Sequence, residues 1–298
     1  MKSGFAAVVG RPNVGKSTLV NRLVGTKVSI VSARPNTTRH RVRGIVHRPD
    51  AQVVVVDTPG FHRPRTALGE RLVEAAGASL DDVDVVVVVV DATAAVGPGD
   101  RNVLSRVLSE GSNQRRQGPG VAGLLVAVNK VDRAGRRQVL ERLTEVSATV
   151  DELGGGAGVE YFPVSARTGE GVDVLLDAVV ASLPEGPAYY PAGTITDTPE
   201  SLRVAELVRE QLLRHAREEL PHSIACRVTD WEWPVIRCEI LVERDSQKGI
   251  VIGKGGEVLK AVGSAVRREL PPGAYLELRV RVEKRWQQRP EVLDRLGY

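Results

Sequence analysis

Short runs of consecutive apolar residues, rich in valine, recur along the first 185 residues of the chain. They fall at 5–9, 42–46, 53–56, 85–90, 121–128 and 159–164. Such runs are typical of strands buried on both faces of a sheet. Helix-like segments separate most of them, at 18–23, 67–78, 99–109, 136–152 and 171–182. The alternation predicts an α/β domain with a mostly parallel sheet and helices on both of its faces.

Turn-forming residues add detail to this domain. Pro49 and Asp50 separate the second run from the third, which predicts an antiparallel hairpin at an edge of the sheet. The glycine-containing stretches 111–120 and 154–158 predict loops, and no function is assigned to them. Proline and glycine cluster at 186–198, which predicts a linker after a first domain spanning 1–185.

A different pattern follows the linker and predicts a second, smaller α+β domain over 199–298. It begins with a long amphipathic helix at 201–220. Strand-like runs and helices then follow, at 224–228, 235–242, around 249–252, 257–270 and 275–282. The predicted order is therefore helix, strand, strand, helix, helix, strand.

Composition narrows the class of protein. The 298 residues carry a net charge of +4 and only two cysteines, Cys226 and Cys238, which excludes a disulfide framework. We expect both thiols to be reduced. The N-terminus lacks the apolar core of a signal peptide, and the longest apolar run, 85–90, is far shorter than a membrane span. We therefore expect a cytoplasmic protein, and a monomer.

The most informative motif lies between the first strand and the first helix. It reads Gly10-Arg11-Pro12-Asn13-Val14-Gly15-Lys16-Ser17 and is followed by Thr18. Backbone N–H groups of such a loop bind phosphate oxygens, and the helix N-terminus adds a favourable dipole. Lys16 is expected to reach the β- and γ-phosphates, and the Ser17 hydroxyl to bind Mg²⁺.

Three later motifs, each at the end of a strand, identify the nucleotide as GTP or GDP. They are Asp57-Thr58-Pro59-Gly60, Asn129-Lys130-Val131-Asp132 and Ser165-Ala166-Arg167. The Asp57 carboxylate can order a water ligand of Mg²⁺, and the Gly60 N–H can contact the γ-phosphate. The Asp132 carboxylate can accept hydrogen bonds from guanine N1–H and N2–H₂, a pair of donors that adenine lacks on that edge. Ser165 and its neighbours are expected to close over the base.

The segment 36–40 supplies a candidate switch. A threonine there can bind Mg²⁺ only while the γ-phosphate is present, so that the order of the loop reports the nucleotide state. Thr38 is our choice and Thr37 the alternative. Lys16, Thr38, Asp57 and Gly60 are thus the predicted catalytic group.

The positioning of the catalytic water departs from the Ras-like pattern. Ras-like proteins use a Gln just after the Asp57–Gly60 motif, but here Phe61 occupies that position and cannot bind a water by hydrogen bonding. Hydrolysis should be slow unless another group supplies positive charge. Asn13 could help to coordinate a monovalent cation such as K⁺, or it could only shape the turn, and the sequence leaves both readings open.

A second glycine loop, Gly253-Lys254-Gly255-Gly256, fits the GXXG pattern that clamps a nucleic-acid backbone in KH domains. Residues 244–289 contain eleven Lys or Arg against five Asp or Glu. This surplus of positive charge is what phosphate binding requires. The second domain is therefore expected to bind RNA.

With both loops placed, the chain resembles the Era family of bacterial GTPases over nearly its whole length. The resemblance is carried by the motifs at 10–17, 36–40, 57–60, 129–132, 164–166, 217–225 and 251–256. It implies a TrmE-Era-type GTPase domain followed by a type II KH domain. It also implies GTP hydrolysis coupled to binding of the 3′ end of 16S ribosomal RNA during assembly of the 30S subunit. Loose association with the inner face of the cell membrane is a further implication of the resemblance.

Two rival hypotheses belong to other classes. One is a tRNA-modification or signalling GTPase whose C-terminal domain binds another partner. The other is an RNA-binding module with a vestigial nucleotide site. The glycine loop at 253–256 and the local basic surplus argue against the first rival, and the intact Lys16, Ser17 and Asp57 argue against the second.

Overall fold

The structure is a computed structural model. It describes residues 1–34, 36–61, 64, 66–80, 83–115, 123–155, 158–215 and 223–298. The chain divides into two compact units. The first comprises Met1–Ser29, Thr38–Pro64 and Arg71–Asp197, and the second Ile30–Thr37, Arg65–Glu70 and Thr198–Tyr298.

A six-stranded sheet forms the centre of the first unit. Its strands are β1 (Lys2–Val9), β2 (Val42–His47), β3 (Ala51–Asp57), β4 (Val85–Asp91), β5 (Gly123–Asn129) and β6 (Val159–Val164). They lie in the order β2-β3-β1-β4-β5-β6, and only the β2–β3 pair is antiparallel. The predicted mostly parallel sheet with a hairpin at its edge is therefore confirmed.

Helices cover both faces of this sheet, as predicted. They are α1 (Lys16–Val24), α2 (Ala67–Gly77), α3 (Pro98–Arg115), α4 (Arg136–Glu152) and α5 (Val172–Ser182). Alternate residues of β1 enter two separate cores, because successive side chains of a strand point to opposite faces. Ala6 and Val8 pack with α1 and α5, whereas Ala7 and Val9 pack with α3 and α4.

One predicted loop is partly helical. The stretch 111–120 was expected to be a loop because of its Gly, Ser and Asn residues, but α3 continues through 111–115, and 116–120 lie outside the described residues. Extending an existing helix adds one hydrogen bond per residue, so a few turn-forming residues do not end it. In the second predicted loop, 154–158, Gly154 has the positive φ of 80° expected of a turn.

The segment predicted as a linker is held on the first unit as far as Asp197. The Ile45 N–H of β2 donates to the Ile195 carbonyl at 2.8 Å, and Arg43 forms an ion pair with Asp197 at 2.9 Å. The buried Gln52 amide of β3 both accepts and donates hydrogen bonds to backbone groups of the same segment. Its oxygen accepts the N–H groups of Tyr189 and Tyr190, and its nitrogen donates to the Tyr190 carbonyl. The contacts of Ile45 and Arg43 lie along the otherwise unpaired edge of β2, where open backbone groups would favour pairing with another chain.

The second unit is built on a three-stranded sheet. Its strands β7 (Ala225–Glu232), β8 (Val235–Val242) and β9 (Tyr275–Val282) lie in that order, with β7–β8 antiparallel and β8–β9 parallel. The helices are α6 (Glu200–His215), α7 (Asp245–Ile252), α8 (Glu257–Arg267) and α9 (Pro290–Leu296). Residues 216–220 of the predicted long helix lie outside the described residues. The predicted α+β architecture is confirmed.

The C-terminal end of the second unit was not predicted. Here α9 follows a short 3₁₀ helix, Trp286–Gln288. Trp286 is fully buried, and its Nε1–H donates to the Ser223 carbonyl at 2.9 Å. Cys226 and Cys238 are free, buried thiols in the core of this unit. Within the described ranges, we find no helix with the length and apolar character needed to span a membrane.

Candidate nucleotide and nucleic-acid sites

The glycine-rich loop connects β1 to α1 at the carboxyl edge of the sheet. Gly15 precedes α1 with a φ of 102°, a conformation that L side chains rarely adopt. A Cβ at this position would lie 2.4 Å from Nδ2 of Asn129. Only glycine therefore fits where this loop passes the end of β5.

Lys16 lies buried at the base of the loop. Its Nζ donates to the carbonyls of Gly10 and Arg11, both at 3.1 Å. Burial lowers the pKa of Lys16 to about 8, against the raising effect of the Asp57 carboxylate. The ammonium group donates hydrogen bonds only to neutral carbonyls and is poorly solvated. An anionic partner would stabilise its charged form, and phosphate oxygens can supply that partner.

Three side-chain oxygens meet beside Lys16. Oγ of Ser17 lies 2.9 Å from Oγ1 of Thr38, which lies 3.3 Å from Oδ2 of Asp57. Oδ1 of Asp57 is buried and has no hydrogen-bond partner among the described residues. Burial raises the pKa of Asp57, although the nearby Ser17 hydroxyl and Lys16 ammonium act in the opposite direction.

Such a group of oxygens suits a hard divalent cation such as Mg²⁺, which favours oxygen ligands and would stabilise the ionised carboxylate. The residues present therefore fit the predicted metal. The structure brings Thr38 to this place and not the alternative Thr37, whose Oγ1 donates to the Arg34 carbonyl at 2.6 Å.

The residues after Asp57 face two different surroundings. Thr58 is fully buried and its Oγ1 donates to the Val8 carbonyl at 2.8 Å, so this side chain ties β3 to β1. Gly60 lies next to Lys16, since a Cβ on Gly60 would be 3.2 Å from Nζ. Phe61 is 3% exposed in the core of the opposite sheet face, and Arg106 covers its ring at 5.5 Å. The Phe61 side chain, which directly follows the Asp57–Gly60 motif, is therefore part of the core.

Asn129 joins the phosphate loop to the loop after β6. Its Nδ2 donates to the Val14 carbonyl at 2.8 Å, and its Oδ1 accepts the Ala166 N–H at 2.9 Å. The neighbouring Lys130 donates to the Asn13 carbonyl at 2.7 Å and forms an ion pair with Asp91 at 2.6 Å. These contacts hold three strand-end loops in one arrangement.

Asp132 has both carboxylate oxygens near donors. Oγ of Ser165 donates to Oδ1 at 2.7 Å, and Nη2 of Arg167 lies 2.8 Å from Oδ2. The Ser165 hydrogen bond, and then the charge of Arg167, hold the pKa of Asp132 below its usual value. The carboxylate is therefore ionised at neutral pH, as an acceptor for two N–H donors of a base must be.

The remaining predicted residues lie in or beside the phosphate loop and the other strand-end loops. Asn13 is exposed and has a φ of 67°, so it contributes to the shape of the turn. Nε of Arg11 lies 2.9 Å from Oδ1 of the buried Asp100 on α3. The other predicted residues, Pro12, Thr18, Pro59 and Val131, lie in the same strand-end loops or the helix turn that follows.

The second glycine loop joins α7 to α8 in the second unit. Gly253, Gly255 and Gly256 all have positive φ, at 77°, 60° and 81°. A Cβ on Gly253 would lie 2.9 Å from the backbone nitrogen of Val258, whereas Gly255 and Gly256 have open space where a Cβ would stand. The loop thus exposes backbone and the Lys254 side chain, so that a nucleic-acid backbone could approach closely.

Comparisons with known proteins agree with this arrangement. Residues 5–130 match the family of 50S ribosome-binding GTPases, and residues 219–287 match the KH domain family. The chain is 48% identical to the GTPase Era of Mycobacterium tuberculosis, over 99% of this chain and 98% of the relative. The chain belongs to the Era family of GTPases.

Two solved Era structures share the whole architecture. Era of Aquifex aeolicus, crystallised as a variant with GDP and AlF₄⁻, is 37% identical with a TM-score of 0.89, over 100% of this chain and 99% of that one. The same values hold for Era in complex with MgGDPNP and nucleotides 1506–1542 of 16S ribosomal RNA. The expected family, with a GTPase domain and a KH domain, is thereby confirmed.

Sequence reasoning missed two residues that support this Era-family site. Asp91 ends β4 as Asp57 ends β3, so its position at a strand end was the available signal for its role beside Lys130. Asp100 carried no comparable signal, because its partner Arg11 is 89 residues away in the chain.

The pKa of Lys16 generates a prediction for the nucleotide affinity of this Era-family protein. Bound phosphates should raise the pKa of Lys16 above the value of about 8 in the nucleotide-free protein. The nucleotide affinity is therefore constant well below about pH 8 and falls above it, because Lys16 of the free protein then loses its proton. We expect the affinity to fall by about tenfold between about pH 7 and about pH 9. Calorimetry in buffers of different ionisation enthalpy should show proton uptake that increases over this range.

Lys16→Arg is the matched variant, since it keeps a positive charge that does not titrate. Its affinity is expected to be weaker but independent of pH. A wild-type affinity that does not change with pH would contradict the proposed linkage.

Proposed function

We propose that this chain is a GTP-hydrolysing switch that binds 16S ribosomal RNA near its 3′ end and assists assembly of the 30S subunit. The observation that carries the proposal is the meeting of Lys16, Ser17, Thr38 and Asp57 at one sheet edge. The chain also carries a complete GXXG loop in its second unit. Cytoplasmic location, a monomeric state and loose contact with the inner face of the membrane stay predictions.

The first unit would hold GTP by three sets of contacts. The N–H groups of the phosphate loop and the Lys16 ammonium would bind the phosphates, and the Asp132 carboxylate would accept the guanine N–H groups. Ser17 and Thr38 would hold Mg²⁺, with Asp57 close by. When bound, Mg²⁺ supplies positive charge that stabilises the charge developing on the phosphate oxygens. The Gly60 N–H, close to Lys16, would contact the γ-phosphate.

Positioning of the attacking water differs from the Ras-like arrangement. Phe61 is buried under Arg106 and cannot bind a water at the phosphates, and His62 lies outside the described residues. The protein therefore relies on charge placed around the phosphates, and intrinsic hydrolysis is expected to be slow. A K⁺ ion near the Asn13 side chain would add to that charge.

The second unit would bind RNA through the loop 253–256. Two observations support this assignment: positive φ values that leave the Gly255 and Gly256 backbone open, and the basic surplus over 244–289. The likeness to the Era complex with nucleotides 1506–1542 favours the 3′ end of 16S RNA as the target. We expect crosslinking of the protein to total cellular RNA to recover the 3′ end of 16S RNA. Recovery of other RNA alone would contradict this target.

Guanine specificity is tested by Asp132→Asn. The amide presents a donor where guanine needs an acceptor, but it complements the carbonyl that xanthine carries at the same position. We expect GTP affinity to fall by about a hundredfold, which is the cost of one or two unpaired buried groups, and affinity for xanthosine triphosphate to rise. Fluorescence titration with both nucleotides measures this change, and unchanged GTP affinity would refute the guanine assignment.

The K⁺ hypothesis is tested by hydrolysis in K⁺ and in Na⁺ at equal ionic strength. If Asn13 helps to hold the cation, replacing K⁺ by Na⁺ should slow hydrolysis by about tenfold, as expected for the loss of about 1.4 kcal/mol of charge stabilisation. Asn13→Gly keeps the positive φ and removes the side-chain oxygen, so this variant should lose the difference between the salts. Equal wild-type rates in both salts would leave Asn13 with its turn-shaping role alone.

RNA binding through the second glycine loop is tested by Gly255→Asp. Asp tolerates a φ near 60°, and the site is open, so the fold should survive while the carboxylate repels phosphates. Affinity for a 16S RNA fragment carrying the 3′ end should fall by at least about tenfold, whereas GTP hydrolysis should stay within about twofold. Gly255→Asn has the same shape without the charge and should lose much less affinity. If both variants bind RNA like the wild type, the loop is not the RNA site.

A further inference from the structure

Two aromatic side chains lie exposed at one end of the three-stranded sheet of the second unit. Trp233, in the turn between β7 and β8, is 57% exposed, and Tyr275, at the start of β9, is 52% exposed. The Tyr275 N–H donates to the Pro234 carbonyl at 2.8 Å, and a Cβ on Gly273 would stand 3.8 Å from the Trp233 ring. These contacts bring both aromatic residues to the same end of the sheet.

The exposure of these rings contrasts with the other tryptophans of the unit. Trp231 packs against the core, and Trp286 is fully buried. Aromatic residues make up only 4% of the chain, and folding normally buries most of their large apolar surface. Two neighbouring rings left in water therefore indicate a ligand that covers them.

Tyr275 also lines a groove of about 730 Å³ that crosses all three strands. Ile236, Cys238 and Ile240 of β8 point into the core, where they pack with α6 and α8. Successive side chains of a strand point to opposite faces, so Arg237 and Glu239 lie on the other face of the sheet. The groove is therefore on the face that those two helices leave open.

The carboxylates beside the groove already have cationic partners. Oε2 of Glu277 lies 3.0 Å from Nε of Arg237, which also forms an ion pair with Asp230. Oε2 of Glu239 lies 2.9 Å from Nη2 of Arg227. These pairs neutralise the negative charge that would otherwise repel an anion from this face.

Arg279 is a cation of the groove that lacks such a partner. It is exposed, and its side chain has no ion pair or hydrogen bond with the part of the chain that the structure describes. It follows Tyr275 by four residues on β9, which is roughly 13 Å along a strand. The face thus presents aromatic rings at one end and an open positive charge farther along.

Unpaired RNA matches both features, because each nucleotide carries a base and a phosphate. Bases of single strands stack on aromatic side chains, and arginine binds their phosphates. The residues 219–287 that match the KH domain family contain the whole groove. A protein partner would also cover the rings, but it would need a carboxylate at the right place for Arg279.

We propose that Trp233, Tyr275 and Arg279 form a stacking site for unpaired RNA, additional to the loop 253–256. Bases stack on the two rings, and a backbone phosphate binds Arg279. The inference rests on the proposed RNA-binding function. Because every base has a π-face, this site adds affinity for single strands and little base selectivity.

The stacking is tested in the full chain with the unpaired 3′-end strand of 16S RNA as the probe. Trp233→Leu and Tyr275→Leu should each weaken binding by about tenfold, within the range for one lost base stack. Trp233→Phe and Tyr275→Phe keep a ring and should stay within about threefold of the wild type. Tryptophan fluorescence of the wild type should be quenched by the RNA, and most of this quenching should be absent from Trp233→Phe.

The phosphate contact is tested by the salt dependence of the same binding. Arg279→Gln should lower the slope of log affinity against log salt by about 0.7, as expected for one phosphate contact on a single strand. Arg279→Lys keeps the charge and should keep the slope. Both side chains are exposed at this position, so the fold should tolerate either change.

The outcomes separate this site from the function on which it rests. Leucine variants that bind RNA as tightly as the wild type would overturn the stacking site. Leucine variants that keep RNA affinity but lose binding to 30S ribosomal proteins would also overturn it, since the rings then serve a protein partner. A wild-type protein that binds no RNA would instead overturn the proposed RNA-binding function.

Discussion

The nucleotide site depends on one constraint, the burial of the parallel strands on both faces. Every residue of β3, β4 and β5 is buried, so polar side chains of these strands can meet a ligand only where the strands end. Asp57, Asp91 and Asn129 occupy those ends, and the phosphate loop follows β1 at the same edge. Parallel neighbours place their carboxyl ends side by side, which brings together residues that are far apart in the chain.

The two carboxylates of the site have opposite electrostatic surroundings. Burial raises the pKa of Asp57, so a nearby cation would stabilise its ionised form. In contrast, the Ser165 hydroxyl and Arg167 lower the pKa of Asp132. One carboxylate is thus suited to a place beside a metal ion, and the other to accepting N–H groups of a base. The difference arises from the loops around them and not from the residue type.

The chain segments before and after Thr38 are each held by contacts within their own unit. In the second unit, Glu210 accepts the Val31 N–H and Arg209 donates to the Thr37 carbonyl. In the first unit, β2 is covered along its edge by residues near Ile195 and Asp197. Each set of contacts restricts backbone conformation within its own unit.

The sequence by itself determined the fold class, the order along the chain of the strands and of most helices, and the motifs that carry the chemistry. It could do so because buried strands, glycine turns and strand-end polar residues are local patterns. Tertiary structure decided which threonine approaches Ser17, where Phe61 packs, and that Asp91 supports Lys130. It also decided that the proline-rich segment lies along β2 and that Arg209 holds the Thr37 carbonyl. These choices depend on partners that are between 21 and 172 residues apart in the chain, whose proximity no local pattern encodes.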